Sequence, residues 1–217
     1  MRSIPYLCTM HPLLKMIREG EHVSQDFKYF LSDTRKIART LAAFANSKGG
    51  RLLVGVKDNG NIVGLKHQEE EAYVIEAAAH VFCKPKVDYH IKEWSYEGKT
   101  VLEVRIPKSP KAPHKAPSEN GKPTYYIRKD DENKIASKLE VAVLRKIRSP
   151  KPLAFTLDNR HIRLLEVLKT QNSQNKYDIK KFSHLSLMTE KECIDILSGL
   201  IAEGILPHPL FTHSDMP

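Results

Sequence analysis

Cysteine is scarce: Cys8, Cys83 and Cys193 stand far apart, an odd number with no paired spacing. That excludes a disulfide framework and a cysteine zinc site, and it suits a reducing compartment. No apolar run approaches the 18 residues a membrane-spanning helix needs. The first 20 residues carry early prolines and a broken apolar stretch, which make a poor signal peptide. A cytoplasmic protein without a membrane partner is the expectation. The Gly-Lys-Ser/Thr of a P-loop is missing after Gly50 and Gly55, and no strand–GxGxxG–helix occurs. The glycines there have plain structural uses. HExxH, EF-hand and nucleophile-elbow patterns are absent, and the ten histidines form no ligand array.

What the chain has in excess is positive charge. Its 217 residues hold 35 Lys+Arg against 26 Asp+Glu, a net charge of +9. From Ser149 onward there are eight basic and eight acidic residues, so residues 1–148 carry 27 minus 18, all of the excess. Residues 99–148 alone hold 13 basic and 6 acidic side chains, net +7. A local cationic field attracts phosphates, so nucleic acid, DNA or RNA, is the expected partner. The alternative is a lysine-rich surface that serves only solubility. A hydrophobic fraction of 41% and a charged fraction of 28% are those of a globular chain.

The patterning predicts an α+β body and a separate helical tail. A short helix is expected over 11–19, then alternation over 23–30 that puts Gln25, Phe27 and Tyr29 on one face and Asp26 and Lys28 on the other. Ser32 and Asp33 offer an N-cap for a helix running to Asn46, and Lys48-Gly49-Gly50 stops it. A strand over 51–56, a two-residue hairpin signal at Asp58-Asn59-Gly60 and a returning strand over 62–65 follow. Next come a helix over 67–82 and paired strands near 87–94 and 100–106. Residues 107–123 hold five of the 13 prolines, four lysines and one acid, which reads as an extended, exposed loop. A strand over 124–128, a helix over 134–148 and a Ser-Pro-Lys-Pro linker complete the first part. In the tail, Asp158 caps one helix, residues 178–185 form a second, and Thr189-Glu190-Lys191-Glu192 is a capping box for a third. A closing strand at 205–206 would make this a helix-turn-helix or winged-helix module. The expected domains are 1–148 and 153–217.

Two constellations could carry function. Glu21, Asp26 and Asp58 could converge on Mg²⁺ or Mn²⁺ if their strands pair, with Lys28 holding a scissile phosphate. The competing reading is that Asp58 serves the hairpin turn while Glu21 and Asp26 are merely solvated. Separately, Tyr126 and Arg128 share a strand face on which a base could stack and a phosphate be held, beside the basic loop residues Lys108, Lys111, Lys115 and Lys122. Against this, tyrosines in such strands are commonly half-buried in the sheet. The third tail helix opens on Glu190 and Glu192, which argues against its reading a DNA groove.

The run Glu21-His-Val-Ser-Gln-Asp26-Phe-Lys28, then residues 35–64 with Asn46, Gly49, Gly50, Gly55, Asp58 and Gly60, resembles the Schlafen AlbA-type domain. Val101 to Pro107, the basic loop and Tyr126-Ile-Arg128 follow the same pattern, so the resemblance spans about residues 12–148. It implies a mixed sheet with packed helices. Short bacterial members are described as DNA-binding or transcriptional regulators, often with a helix-turn-helix tail, and older descriptions give an ATP- or nucleotide-binding domain. Some animal Schlafens are metal-dependent endoribonucleases with three acidic residues, which by position fall on Glu21, Asp26 and Asp58. Asp26 stands where the nuclease members carry Glu, one methylene shorter in reach, and errors of that order in placement cost about a hundredfold in rate. A non-catalytic nucleic-acid-binding regulator, for which a homodimer is compatible, is therefore preferred over a ribonuclease. No cofactor is expected for the first, and Mg²⁺ or Mn²⁺ only for the second.

Overall fold

The structure is a computed structural model, which describes residues 10–148, 158–170 and 177–208. Four strands form a mixed sheet: β1 (Gln25–Lys28), β2 (Gly49–Val54), β3 (His90–Tyr96) and β4 (Lys99–Pro107), in the order β1-β2-β4-β3. β1 and β2 run parallel, and the other pairs are antiparallel. The parallel connection is made by α2 (Thr34–Asn46), whose first turn is capped by Asp33 Oδ1 accepting from the N–H groups of Arg35 and Lys36.

β2 is apolar without alternation because both its faces are covered. On one face Leu52 and Val54, with Leu102, Val104 and Ile106 of β4, pack on Ile37, Leu41 and Phe44 of α2. On the other, Leu53, Phe27 and Val101 meet Leu13 and Met16 of α1 (Pro12–Arg18). A second sheet of β5 (Lys115–Pro117), β6 (Pro123–Lys129) and β7 (Glu132–Ile135) lies against α2. A helix walled on two sides needs small residues, and Ala38, Ala42, Ala43 and Ala45 supply them.

The double glycine after α2 has two separate jobs. Gly49 sits at φ +79°, and a Cβ there would stand 2.7 Å from the Ile106 carbonyl oxygen. At Gly50 a Cβ would fall 2.4 Å from Cδ1 of Phe44, so its absence makes room for that ring. α3 (Gln68–Ala77) ends in one wider, π-type turn over Ala78–Phe82.

Several expected boundaries move. The strand expected over 23–30 is only four residues long, because Gly55 N–H and Val56 N–H both close on the Lys28 carbonyl. Asp58-Asn59-Gly60 does form a tight turn, with Gly60 N–H on the Lys57 carbonyl at 2.8 Å, but the return is a single bridge from Val56 to Ile62. Residues 132–135 pair as β7, so the helix expected from 134 begins later, as α4 (Lys138–Arg148).

The largest correction concerns the proline-rich segment, which is not an exposed loop throughout. Ala112, Pro113, His114 and Ala116 are buried, and residues 115–117 are a strand. From His114 onward one side chain accounts for this. Asn46, at the end of α2, donates to the carbonyls of His114 (2.9 Å) and Tyr126 (2.8 Å) and accepts from His114 N–H (2.6 Å). His114 in turn reaches the Pro85 carbonyl and Ser109 Oγ. A buried amide with both ends satisfied can pin a segment whose composition suggests a free coil.

The chain divides into two compact units. The first holds residues up to Ser109 and His114–Lys134, and the second holds Pro110–Pro113 and everything from Ile135. α4, expected in the first domain, packs instead against α7 (Glu190–Ala202) of the second unit. That unit contains α4, α5 (Asn159–Thr170), α6 (Ile179–Ser186) and α7 (Glu190–Ala202). Their common core is Leu139, Val143, Leu164, Phe182, Cys193, Leu197 and Leu200. The expected capping box is formed: Glu192 N–H donates to Thr189 Oγ1, and Thr189 N–H to Glu192. Residues 205 and 206 are not a strand; their N–H groups close the end of α7 on the Leu200 carbonyl. The linker at 149–152, Cys8 and the chain beyond 208 lie outside the described residues. No helix among the described residues is long and apolar enough to cross a membrane.

Candidate nucleic-acid interface

Alternation along β1 puts Asp26 and Lys28 on one face, as expected, and Lys28 Nζ lies 2.8 Å from Asp26 Oδ2. Glu21 joins them, with its Oε1 accepting from Phe27 N–H at 2.9 Å. Partial burial, and then the neighbouring Asp26 carboxylate, push the Glu21 carboxyl above the usual carboxylate range; the Phe27 N–H and Lys28 oppose this.

The expected third acid is not there. Asp58 is exposed in the turn after β2, six residues beyond Leu52, the register partner of Asp26. Among the described residues, no three His, Cys, Asp or Glu side chains gather closely enough to hold a metal ion. Asp26 is also paired through its second oxygen, Oδ1, with Arg128 Nη2 at 3.0 Å. Mg²⁺ or Mn²⁺ therefore does not fit the donor set as it stands: of three expected ligands, one is elsewhere and one is neutralised by two cations.

Arg128 and Tyr126 are the second correction. Neither faces solvent: Tyr126 is 7% exposed within the core against α2, and the Arg128 side chain is 2% exposed. The Arg128 guanidinium also donates to Asn133 Oδ1 (3.1 Å) and lies 5.0 Å from the Phe44 ring. Alternation correctly put both residues on one face of β6, but that face turns inward, because α2 covers it. Arg128 answers a buried carboxylate rather than a phosphate.

The lysines expected to hold phosphate are at the surface. In the first unit Lys108 and Lys122 are exposed, and Lys115 is half-buried with its Nζ 5.1 Å from the Tyr125 ring. A backbone bridge between Lys84 and Lys115 places another exposed lysine beside it. Lys111 is exposed on the second unit.

Register assembles a group that the sequence did not single out. Gln25 pairs with Arg51, Arg51 with Arg105, and Arg105 with His90. Residues paired in this way project to the same face, about 5 Å apart at the backbone. This face is covered by α1 at one end and open at the other. The open end is a groove of about 590 Å³ lined by Arg51, Arg105, His90, His22, Glu19 and Ser24, together with Gly50, Ile106 and Pro107. Glu103, fully buried, accepts from Trp94 Nε1 (2.8 Å) and Arg105 Nε (2.6 Å), which holds the Arg105 guanidinium in place and raises its pKa further. The Arg105 side chain is still 58% exposed. Arg51 is braced by Gln25 and by Glu19. The available signals were an arginine opening an otherwise apolar strand and another at an alternating position in Val101–Ile106, but which strands pair was not legible.

Two solved structures are similar in part. The DIP2311 protein from Corynebacterium diphtheriae is 18% identical, with a TM-score of 0.48; the match covers 81% of this chain and 32% of that one, so this chain spans about a third of its length. The N-terminal domain of a RecG-related protein from Nitrosomonas europaea is 20% identical, with a TM-score of 0.42, covering 69% of this chain and 97% of that one. No curated protein matches the chain. The family model described as Schlafen, AlbA_2 matches residues 21–137, from Glu21 through the central helix, both sheets and the basic segment, and the chain belongs to that family.

Proposed function

We propose that this protein is a non-catalytic, nucleic-acid-binding regulator that holds the phosphate backbone at the open end of its four-stranded sheet. The observation that carries this reading is the in-register row Arg51–Arg105–His90 lining a surface groove. A guanidinium fixed through Nε by a buried carboxylate presents its remaining N–H groups as a preset fork, the geometry that matches phosphate oxygens. Glu19, the partner of Arg51, is partly exposed and can be displaced by a phosphate without leaving a buried charge behind. The surface lysines Lys108, Lys115, Lys122 and Lys84 extend the same attraction, and Lys111 carries the same charge on the second unit.

The non-catalytic part rests on Asp26. The Asp26 carboxylate is already paired with two cations, Arg128 and Lys28, which weakens its attraction for a metal, and Asp58 stands apart. The helical tail, with Glu190 and Glu192 at the start of α7, suits a packing or dimerisation role rather than groove reading.

The test is a salt titration of affinity, read by fluorescence anisotropy on labelled duplex and single-stranded oligonucleotides. Arg51→Ala with Arg105→Ala should weaken binding about tenfold or more and reduce the log–log salt slope by about 1 to 2, roughly one for each phosphate no longer neutralised. An unchanged slope removes the groove from the reading. Charge reversal at Lys108, Lys111 and Lys115 should flatten the slope further.

A further inference from the structure

Tyr29 and Phe30 are consecutive, and both stand in solvent, 46% and 53% exposed. Their neighbours do the opposite: Phe27 and Leu31 are buried. The backbone enforces this contrast. Lys28 is held through its carbonyl by Gly55 and Val56, just past the adjacent strand β2, and Leu31 N–H is held by Glu71 Oε2 at 2.9 Å. Two residues tethered at both ends cannot fold their rings back into either core. The rings meet edge to face, 5.2 Å between centroids at 84°. Lys57, in the turn after β2, brings its Nζ to 5.8 Å from the centre of the Tyr29 ring. Among the described phenylalanine, tyrosine and tryptophan side chains, only Tyr73 is another so exposed.

We propose that the Tyr29–Phe30 pair with Lys57 is a stacking platform for an unpaired base, so that the protein engages single-stranded nucleic acid through this edge. The inference rests on the nucleic-acid reading above and adds a strand preference to it. Paired rings exposed to water with a cation beside them are what a nucleobase and its phosphate require, since every base has a π-face and every nucleotide a negative charge. Bases in a duplex are already stacked on both faces and cannot reach the platform without unpairing. The arginine groove holds backbone of either kind; the aromatic edge selects the strand whose bases are free.

The experiment compares the wild-type chain with Tyr29→Ala, Phe30→Ala and the conservative Phe30→Trp. It measures affinity for a thymine-rich 20-mer and for a duplex of the same length. A 2-aminopurine placed within the single strand reports stacking by fluorescence quenching. The alanine variants should lose about 5- to 150-fold in single-strand affinity, lose the quench, and keep their duplex affinity; Phe30→Trp should keep all three. Both side chains are exposed, so the variants should melt with the wild type, and circular dichroism checks this. Single-strand binding that is equally tight and equally quenched in the alanine variants overturns the platform. If the wild type binds neither oligonucleotide, the nucleic-acid reading itself fails, and the platform with it.

Discussion

Replacing Arg128 by Met separates a structural arginine from a ligand-binding one. The substitution keeps the aliphatic contact with Phe44 and removes the guanidinium, leaving Asp26 with Lys28 alone. Removing one partner of a buried ion pair costs about 3–5 kcal/mol. Lys28 still neutralises Asp26 here, so the lower end, about 3 kcal/mol, is expected. For an m-value of about 2 kcal/mol per molar urea, the unfolding midpoint falls by about 1.5 M. Trp94, the sole tryptophan, lies in β3 of the first unit and reports its unfolding without a signal from the helical unit. Asp26→Asn alone should cost a similar amount, because it leaves a buried guanidinium whose Nε already has no partner. The double variant should then cost less than the sum by about 2 kcal/mol or more, the signature of a direct pair. At temperatures where it stays folded, Arg128→Met should bind nucleic acid with an unchanged salt slope. A variant as stable as the wild type with a slope lowered by about 1 would refute the reasoning and return Arg128 to the phosphate-binding set.

Glu21→Gln should stabilise the protein slightly at neutral pH. Burial raises the folded pKa of Glu21 above its unfolded value, so its favourable contribution is present at low pH and is lost as pH rises through the folded pKa. The amide keeps an acceptor for Phe27 N–H without the charge facing Asp26. Because the group is partly solvated, the gain at pH 7 is only about 0.5 kcal/mol or less, vanishing below about pH 4; urea midpoints at both pH values decide it, and a Gln variant less stable at pH 7 contradicts it. Gly50→Ala should cost about 1–3 kcal/mol by forcing the buried Phe44 ring aside, measured as a lower midpoint by Trp94 fluorescence. A midpoint equal to that of the wild type would show that the ring relocates freely.

What was legible in the sequence was local. Asp33 before Thr34, the stop at Gly49 and the Thr189–Glu192 box each act within a few residues, and each forms where its side-chain chemistry requires. The shared face of Asp26 and Lys28 follows from the two-residue period alone. The proline-rich segment failed because its composition describes a free coil, whereas its position is set by Asn46, about 70 residues away along the chain. Asp58 failed because turn preference and metal ligation call for the same residue type, and only the turn is formed.

Long-range register also explains why the charge count shows where cations lie along the chain but not which of them share a surface. The window 99–148 includes Arg128, spent on a buried acid, and omits Arg51, which lies about 50 residues before its register partner Arg105. Alternation states that two side chains share a face but not whether a helix covers it. Tyr126 and Arg128 met a helix, whereas Arg51 and Arg105 met the uncovered end of a sheet. A positive window therefore locates cations along the chain, while strand pairing decides which of them share an open face.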